Sequence, residues 1–238
     1  MLDKVRNLFQ SESASRPPDR TPEAHSSARA ATAAAPALPG LLRHSNGLRE
    51  FLNGWDKAEG RRVLDLGCTS SSNLNFFTLH GHGIYSDDLL LEAERSRYRL
   101  TPAPASPDAP PPAPFFDAPL WLRENLDFPP ERFDAVLLWD LVDYMPEPLV
   151  KPLIERLTAI LRPGGTILAY FHTRDAGPEA PFFRYHIHDR ESLQLRPGPP
   201  YRLQRIFNNR HVENLFRGYR SIKFFLARDN LREVLASK

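Results

Sequence analysis

The sequence predicts a doubly wound α/β sandwich: a mostly parallel sheet, finished at its carboxyl end by an antiparallel hairpin. Three strand signals in a fixed order predict it. The first is Arg62-Val63-Leu64-Asp65-Leu66-Gly67-Cys68-Thr69-Ser70-Ser71-Ser72-Asn73, an apolar strand running into an acid, a tight small-residue turn and a helix start. The second, Phe133-Asp134-Ala135-Val136-Leu137-Leu138-Trp139-Asp140, follows at the distance one half of such a fold occupies. The third, Leu161-Arg162-Pro163-Gly164-Gly165-Thr166-Ile167-Leu168-Ala169-Tyr170, comes one helix later. In sheets of this kind a ligand lies at the carboxyl ends of the strands, beside a helix amino terminus.

The elements can be justified in order. Residues 11–40 hold no aromatic side chain and are dominated by Ala, Ser and Pro. Such a segment buries too little apolar area to offset its ordering entropy, so residues 1–40 are expected to be a disordered leader, with a transient helix at Leu2–Phe9. The domain is expected at residues 41–238. Leu48, Phe51, Leu52 and Trp55 fall at i, i+3, i+4 and i+7, the pattern of an amphipathic helix that ends at Gly60. Strand Arg62–Leu66 is followed by a helix that starts in the serine run, turns Leu74 and Phe77 inward and ends near Gly81. Ile84-Tyr85 reads as a second strand closed by Ser86-Asp87-Asp88, and Leu89–Tyr98 as a helix.

Residues 101–119 contain eight prolines in nineteen positions, a composition expected to form neither helix nor ladder. A third strand is then either short, around Leu120–Leu122, or degenerate. Ala135–Trp139 is the fourth strand. Leu149, Val150, Leu153, Ile154, Leu157, Ile160 and Leu161 form an unbroken 3.6-residue stripe, stopped by Pro163 and Gly164. Thr166–Phe171 is the fifth strand. Asn208 or Asn209 caps a helix holding Val212, Leu215 and Phe216. Ser221–Leu226 and Leu231–Leu235, joined by a polar turn, form the terminal hairpin.

Composition narrows the function. A single cysteine, Cys68, excludes an internal disulfide framework and a cysteine-based metal site, and suits a reducing, cytoplasmic setting. No apolar run approaches the roughly 20 residues of a membrane span. From Arg184 to Lys238 there are twelve Lys/Arg against five Asp/Glu, although the whole chain carries only +2. Tyr201, Phe207, Phe216 and Tyr219 interleave with those basic residues. The aromatics read more simply as core and the charges as solvated surface, so no nucleic-acid partner is expected.

The ordered motifs resemble those of the class I S-adenosylmethionine-dependent methyltransferases. The resemblance rests on Val63 to Asn73, on Leu126-Asp127-Phe128 leading to Phe133-Asp134, and on Leu161 to Gly165. It spans about Leu48 to Phe171 and implies a Rossmann-like three-layer fold. It also implies S-adenosyl-L-methionine as co-substrate and methyl transfer to an unidentified small-molecule or macromolecular acceptor. A nicotinamide-dependent oxidoreductase would need Gly-x-Gly-x-x-Gly/Ala after the opening strand, and Gly67 to Ser72 fails that pattern.

Residue by residue, the resemblance puts Asp65, Gly67, Cys68, Thr69 and Asn73 at the donor, with Asp65 near the ammonium of its methionine end. Thr69 and Ser71 stand where the family usually has further glycines. Asp87 or Asp88, some twenty-two residues after Asp65, is placed to accept from both ribose hydroxyls. Glu124 and Asn125 fall where the family contacts adenine, though Leu122 replaces the aspartate expected there. Trp139 stands over the methyl-transfer position. Asp140, Tyr144 and His172 are candidates to orient or deprotonate an acceptor, with Asp143, Arg174, Asp175 and the Tyr185–His188 loop nearby. His172, His186 and His188 have no carboxylate-rich companion, so no metal is expected. The missing glycines and the proline-rich insertion also raise an alternative: a non-catalytic S-adenosylmethionine-binding regulatory or partner-binding protein.

Overall fold

A computed structural model describes residues 41–53, 55–104, 106, 110, 112–175, 177, 182–227 and 229–238. The expected leader at 1–40 and its helix lie outside the described residues. Along the chain run β1 (Leu41–His44), α1 (Asn46–Phe51), β2 (Arg62–Asp65), α2 (Ser71–Leu79), β3 (Gly83–Ser86) and α3 (Leu89–Ala93). The two-residue strands β4 (Arg99–Leu100) and β5 (Phe115–Phe116) precede α4 (Ala118–Asn125), β6 (Phe133–Trp139), α5 (Leu141–Tyr144) and α6 (Glu147–Ile160). Then come β7 (Leu161–His172), β8 (Phe183–Ile187), β9 (Ser192–Pro197), α7 (Asn209–Leu215), β10 (Ser221–Leu226) and β11 (Leu231–Ser237).

Six strands form the main sheet in the order β10-β11-β7-β6-β2-β3. β3, β2, β6 and β7 are parallel, while β11 runs antiparallel to β7 and β10 antiparallel to β11. From β2 the chain steps outward to β3 and later returns on the other side as β6. Strand order therefore reverses at β2, and the carboxyl ends of β2 and β6 flank the crevice that such a reversal opens.

Alternation along β6 explains the three layers. Val136 and Leu138 face a core built with α3, α4, α5 and α6, whereas Ala135, Leu137 and Trp139 face Phe51, Trp55 and Phe77. All of Ala135 to Trp139 is buried, as expected of a central parallel strand covered on both faces. The α6 stripe from Leu149 to Leu161 is buried throughout.

Several expectations are corrected. Leu120–Leu122 lies in α4, not in a strand. Asp117 accepts the Leu120 N–H at 3.0 Å, and Pro119 sits in the first turn, where its missing N–H costs nothing. The third strand of the sheet is thus degenerate. The stretch 101–119 is also less irregular than its prolines imply, because Phe115–Phe116 pairs antiparallel with Arg99–Leu100 and residues 118–119 open α4. The Leu48–Trp55 helix is shorter: α1 ends at Phe51 and a 3-10 turn spans Trp55–Lys57, yet Leu48, Phe51, Leu52 and Trp55 are all buried. Likewise Leu89–Tyr98 splits into α3 and a 3-10 turn at Ser96–Tyr98.

The expected loop at Tyr185–His188 is instead mostly the strand β8, in a second antiparallel sheet ordered β1-β9-β8. A buried polar cluster ties this sheet to the main one. Arg43, 5% exposed, pairs with Glu233, 1% exposed, and with Asp229. Glu233 Oε2 also accepts from Ser45 Oγ at 3.0 Å and from the Gly47 N–H at 2.5 Å. A Cβ at Gly47 would stand 2.7 Å from that oxygen, so the close approach requires glycine.

Candidate active site

The loop after β2 is organised around one carboxylate. Asp65 is fully buried and accepts from the Gly67 N–H at 3.2 Å, Asn73 Nδ2 at 2.8 Å and Trp139 Nε1 at 2.7 Å. Burial pushes the Asp65 carboxyl upward, and the three hydrogen bonds pull it back. Ser70 caps α2 by accepting the Asn73 N–H. Asn73 then clasps the second sheet, accepting from the Ile187 N–H at 2.7 Å and donating to the Tyr185 carbonyl at 3.3 Å.

Trp139 closes this arrangement. Its φ is +51°, a left-handed conformation rare for a bulky residue. The indole lies parallel to Tyr185, with centroids 5.2 Å apart and planes 6° off. A Cβ on Gly67 would meet Trp139 Cδ1 at 2.8 Å and Nε1 at 2.9 Å. Gly67 is therefore required by the protein's own tryptophan. Gly67→Ala should cost about 1–3 kcal/mol by overpacking, read as a drop in the urea midpoint. Combining it with Trp139→Leu should recover most of that loss; a simple sum of the two losses would refute the contact.

A second cluster forms where β6 and β7 end. Asp143 is buried and accepts twice from His172, from the backbone N–H at 2.6 Å and from Nδ1 at 2.8 Å. This bond fixes the ring and leaves Nε2 as its remaining proton site. Burial works against a charge on His172, but the Asp143 bond and the neighbouring carboxylates outweigh it and raise its pKa. Asp140 accepts from the Tyr185 hydroxyl at 2.9 Å. Burial pushes its carboxyl up to about 7, with His172 opposing and Asp143 adding to the shift. Tyr144 packs edge-on against His172, centroids 5.7 Å apart, and burial raises its hydroxyl as well.

The structure thus brings Asp65, Gly67, Asn73, Trp139, Asp140, Tyr144 and His172 into two adjoining networks bridged by Tyr185. Asp88 caps α3 through the Leu91 N–H, while Asp87 stays exposed and pairs with no other side chain among the described residues. Thr69 is exposed. Cys68 is half-buried, and burial raises its thiol, away from thiolate reactivity. Glu124 and Asn125 are held elsewhere. Both hydrogen-bond the Tyr98 hydroxyl, and Glu124 also pairs with Arg97 at 3.1 Å, on a helix packed against α6. Among the described residues no group of three or more His, Cys, Asp or Glu could hold a metal ion; His186 Nδ1 is instead bonded to Ser70 Oγ at 2.7 Å.

Tyr185 is the residue whose role the motifs did not reveal. Its signal was the alternation Phe183, Tyr185, Ile187 with Arg184 and His186 between, a half-buried strand pattern. Beside the second cluster lies a cavity of about 490 Å³, lined among others by Leu90, Phe116, Tyr144, Tyr201, Arg99 and Arg202.

Residues 40–220 match the sequence profile of a family described as a methyltransferase domain. That span is well over half of the chain, and the chain belongs to this family. The co-substrate that the sequence motifs imply for such a domain is S-adenosylmethionine. No curated protein matches the sequence significantly. Among solved structures it is similar to 1,6-didemethyltoxoflavin-N1-methyltransferase from Burkholderia thailandensis, described with 1,6-didemethyltoxoflavin and S-adenosylhomocysteine bound: 16% identity, 82% of this chain and 79% of that one covered, TM-score 0.44. It is also similar to a SAM-dependent methyltransferase from Archaeoglobus fulgidus, at 12% identity, 80% and 91% coverage and TM-score 0.46. A third likeness is an S-adenosylmethionine-dependent methyltransferase from Mesorhizobium loti, at 18% identity, 80% and 95% coverage and TM-score 0.43.

The residues fit that co-substrate at one end only. Asp87 offers an exposed carboxylate at the end of β3, where both ribose hydroxyls could donate to it. At the methionine end the fit fails in this arrangement. The space over Gly67 holds the Trp139 indole, and Asp65 already has three donors.

Proposed function

We propose that the protein methylates a small, partly aromatic acceptor that binds in the cavity beside Tyr144 and presents a protonated group to His172. The observation that carries this reading is the Asp143–His172 pair at the strand ends of a methyltransferase domain. An imidazole oriented through Nδ1 by a buried carboxylate has its Nε2 free to take a proton. Asp143 holds the ring and favours the imidazolium that results. The aromatic lining supports a flat acceptor, and the exposed Arg99 and Arg202, against the single acid Glu94 of the lining, favour one with an anionic group.

The experiment is a pool of small aromatic acceptors offered with S-adenosylmethionine, with S-adenosylhomocysteine release as the readout. His172→Ala should lower release about a hundredfold or more at neutral pH; unchanged release would remove the base. Asp87→Ala should weaken adenosine binding by about tenfold, the usual result of leaving two hydroxyls unmet. Equal affinity by calorimetry would remove the ribose assignment. The filled space over Gly67 favours one further reading, binding without turnover, in which no acceptor elicits release.

A further inference from the structure

The place where the donor's aminoacyl chain would lie against the Gly67 turn is filled from within. Trp139 reaches back over Gly67 and donates its indole N–H to Asp65 at 2.7 Å. Tyr185 stacks flat upon the indole and is itself pinned by its hydroxyl to Asp140 at 2.9 Å. Tyr170 closes the other side, edge-on to Trp139 at 5.7 Å and to Tyr185 at 5.2 Å. The carboxylate that would receive the donor's ammonium is thus already satisfied by the protein. The nucleoside end differs, since Asp87 remains exposed.

We propose that Trp139, held by Tyr185, is a gatekeeping residue: the closed site accepts the nucleoside part of the donor, and the aminoacyl part binds only when the indole leaves Gly67. This rests on the reading that the Asp65–Asn73 loop is the donor site. Two features make the indole a movable plug rather than fixed core. Trp139 is held in a left-handed backbone conformation at φ +51°, which persists only while its surroundings enforce it. Its bond to Asp65 is one of three to that carboxylate, so a donor ammonium can replace the indole N–H without leaving the acid unmet. Selection is then energetic. A ligand with an aminoacyl chain must displace the stack before its own contacts count, and its apparent affinity falls by the fraction of molecules that are open.

Calorimetry on the full chain tests this with two probes, adenosine and S-adenosylhomocysteine, which share the nucleoside and differ in the chain that meets the plug. Wild-type protein should bind adenosine at least as tightly as S-adenosylhomocysteine. Trp139→Ala should bind S-adenosylhomocysteine about tenfold more tightly than wild type, with adenosine changed by less than about twofold. If Trp139→Ala does not fold, Tyr185→Phe serves instead. It keeps the stacked ring, loses the Asp140 bond and should give a gain of about threefold for S-adenosylhomocysteine alone. No gain in whichever variant folds overturns the gate while leaving the donor site standing. Folded wild type and variant that bind neither probe overturn the donor-site reading, and the gate with it.

Discussion

Glu233→Ala should unfold the protein more readily than any other single change considered, lowering stability by about 3–5 kcal/mol. Glu233 is 1% exposed and carries the charge that faces Arg43, itself 5% exposed. Removing the acid leaves a buried guanidinium with the half-exposed Asp229 and the Tyr170 ring as its partners among the described residues, takes one bond from the Ser45 hydroxyl and strands the Gly47 N–H. Both consequences carry a desolvation cost, and the Ala side chain adds a cavity. Urea denaturation of the variant and of Glu233→Gln checks it. The glutamine keeps an acceptor for Gly47 and should lose less. A loss below about 1 kcal/mol for the alanine variant would mean the ion pair contributes little.

Asp140→Asn should act in the opposite direction and depend on pH. The folded-state carboxyl sits near 7, against an ordinary value of 3.8. Between those values the native chain keeps the proton and the unfolded chain has released it, so unfolding sheds protons and stability falls as pH rises. The contribution is complete below about pH 4 and gone above about pH 7. His172, also raised, adds a loss in the same direction from about pH 6.5 upward. The amide cannot ionise and still accepts from Tyr185. Asp140→Asn should therefore match wild type near pH 4 and exceed it by about 2–4 kcal/mol at pH 8. Melting curves across that range decide it; a constant offset at every pH would show that ionisation of Asp140 is not the cause.

What the sequence disclosed about fold and site divides along physical lines. β6, α6 and the β10–β11 hairpin were legible because each carries its own period: a buried run in β6, a 3.6-residue stripe in α6, and two strands around a polar turn. Asp65 and Gly67 were legible because a strand that ends in an acid and a tight turn is local chemistry. α4 was missed because Leu120–Leu122 is apolar and short, although Asp117 followed by Pro119 was a start signal. The second sheet was missed because β1 acquires its partner only from β9, some 150 residues later. The position of Trp139 could be read, but not its aim. Whether it faces a ligand or turns back onto Gly67 depends on its φ and on Tyr185, and neither leaves a trace in the local pattern.

The pairing of Arg43 with Glu233 joins residues 190 positions apart. During synthesis from the amino end, Arg43 emerges from the ribosome long before its counterion exists. β11, which carries Glu233, must also slot between β7 and the already translated β10. Folding of this chain can then reach completion only after translation has passed Glu233, and a nascent chain stalled short of that residue would lack most of β11 and leave Arg43 in solvent, without the buried acid that offsets its desolvation.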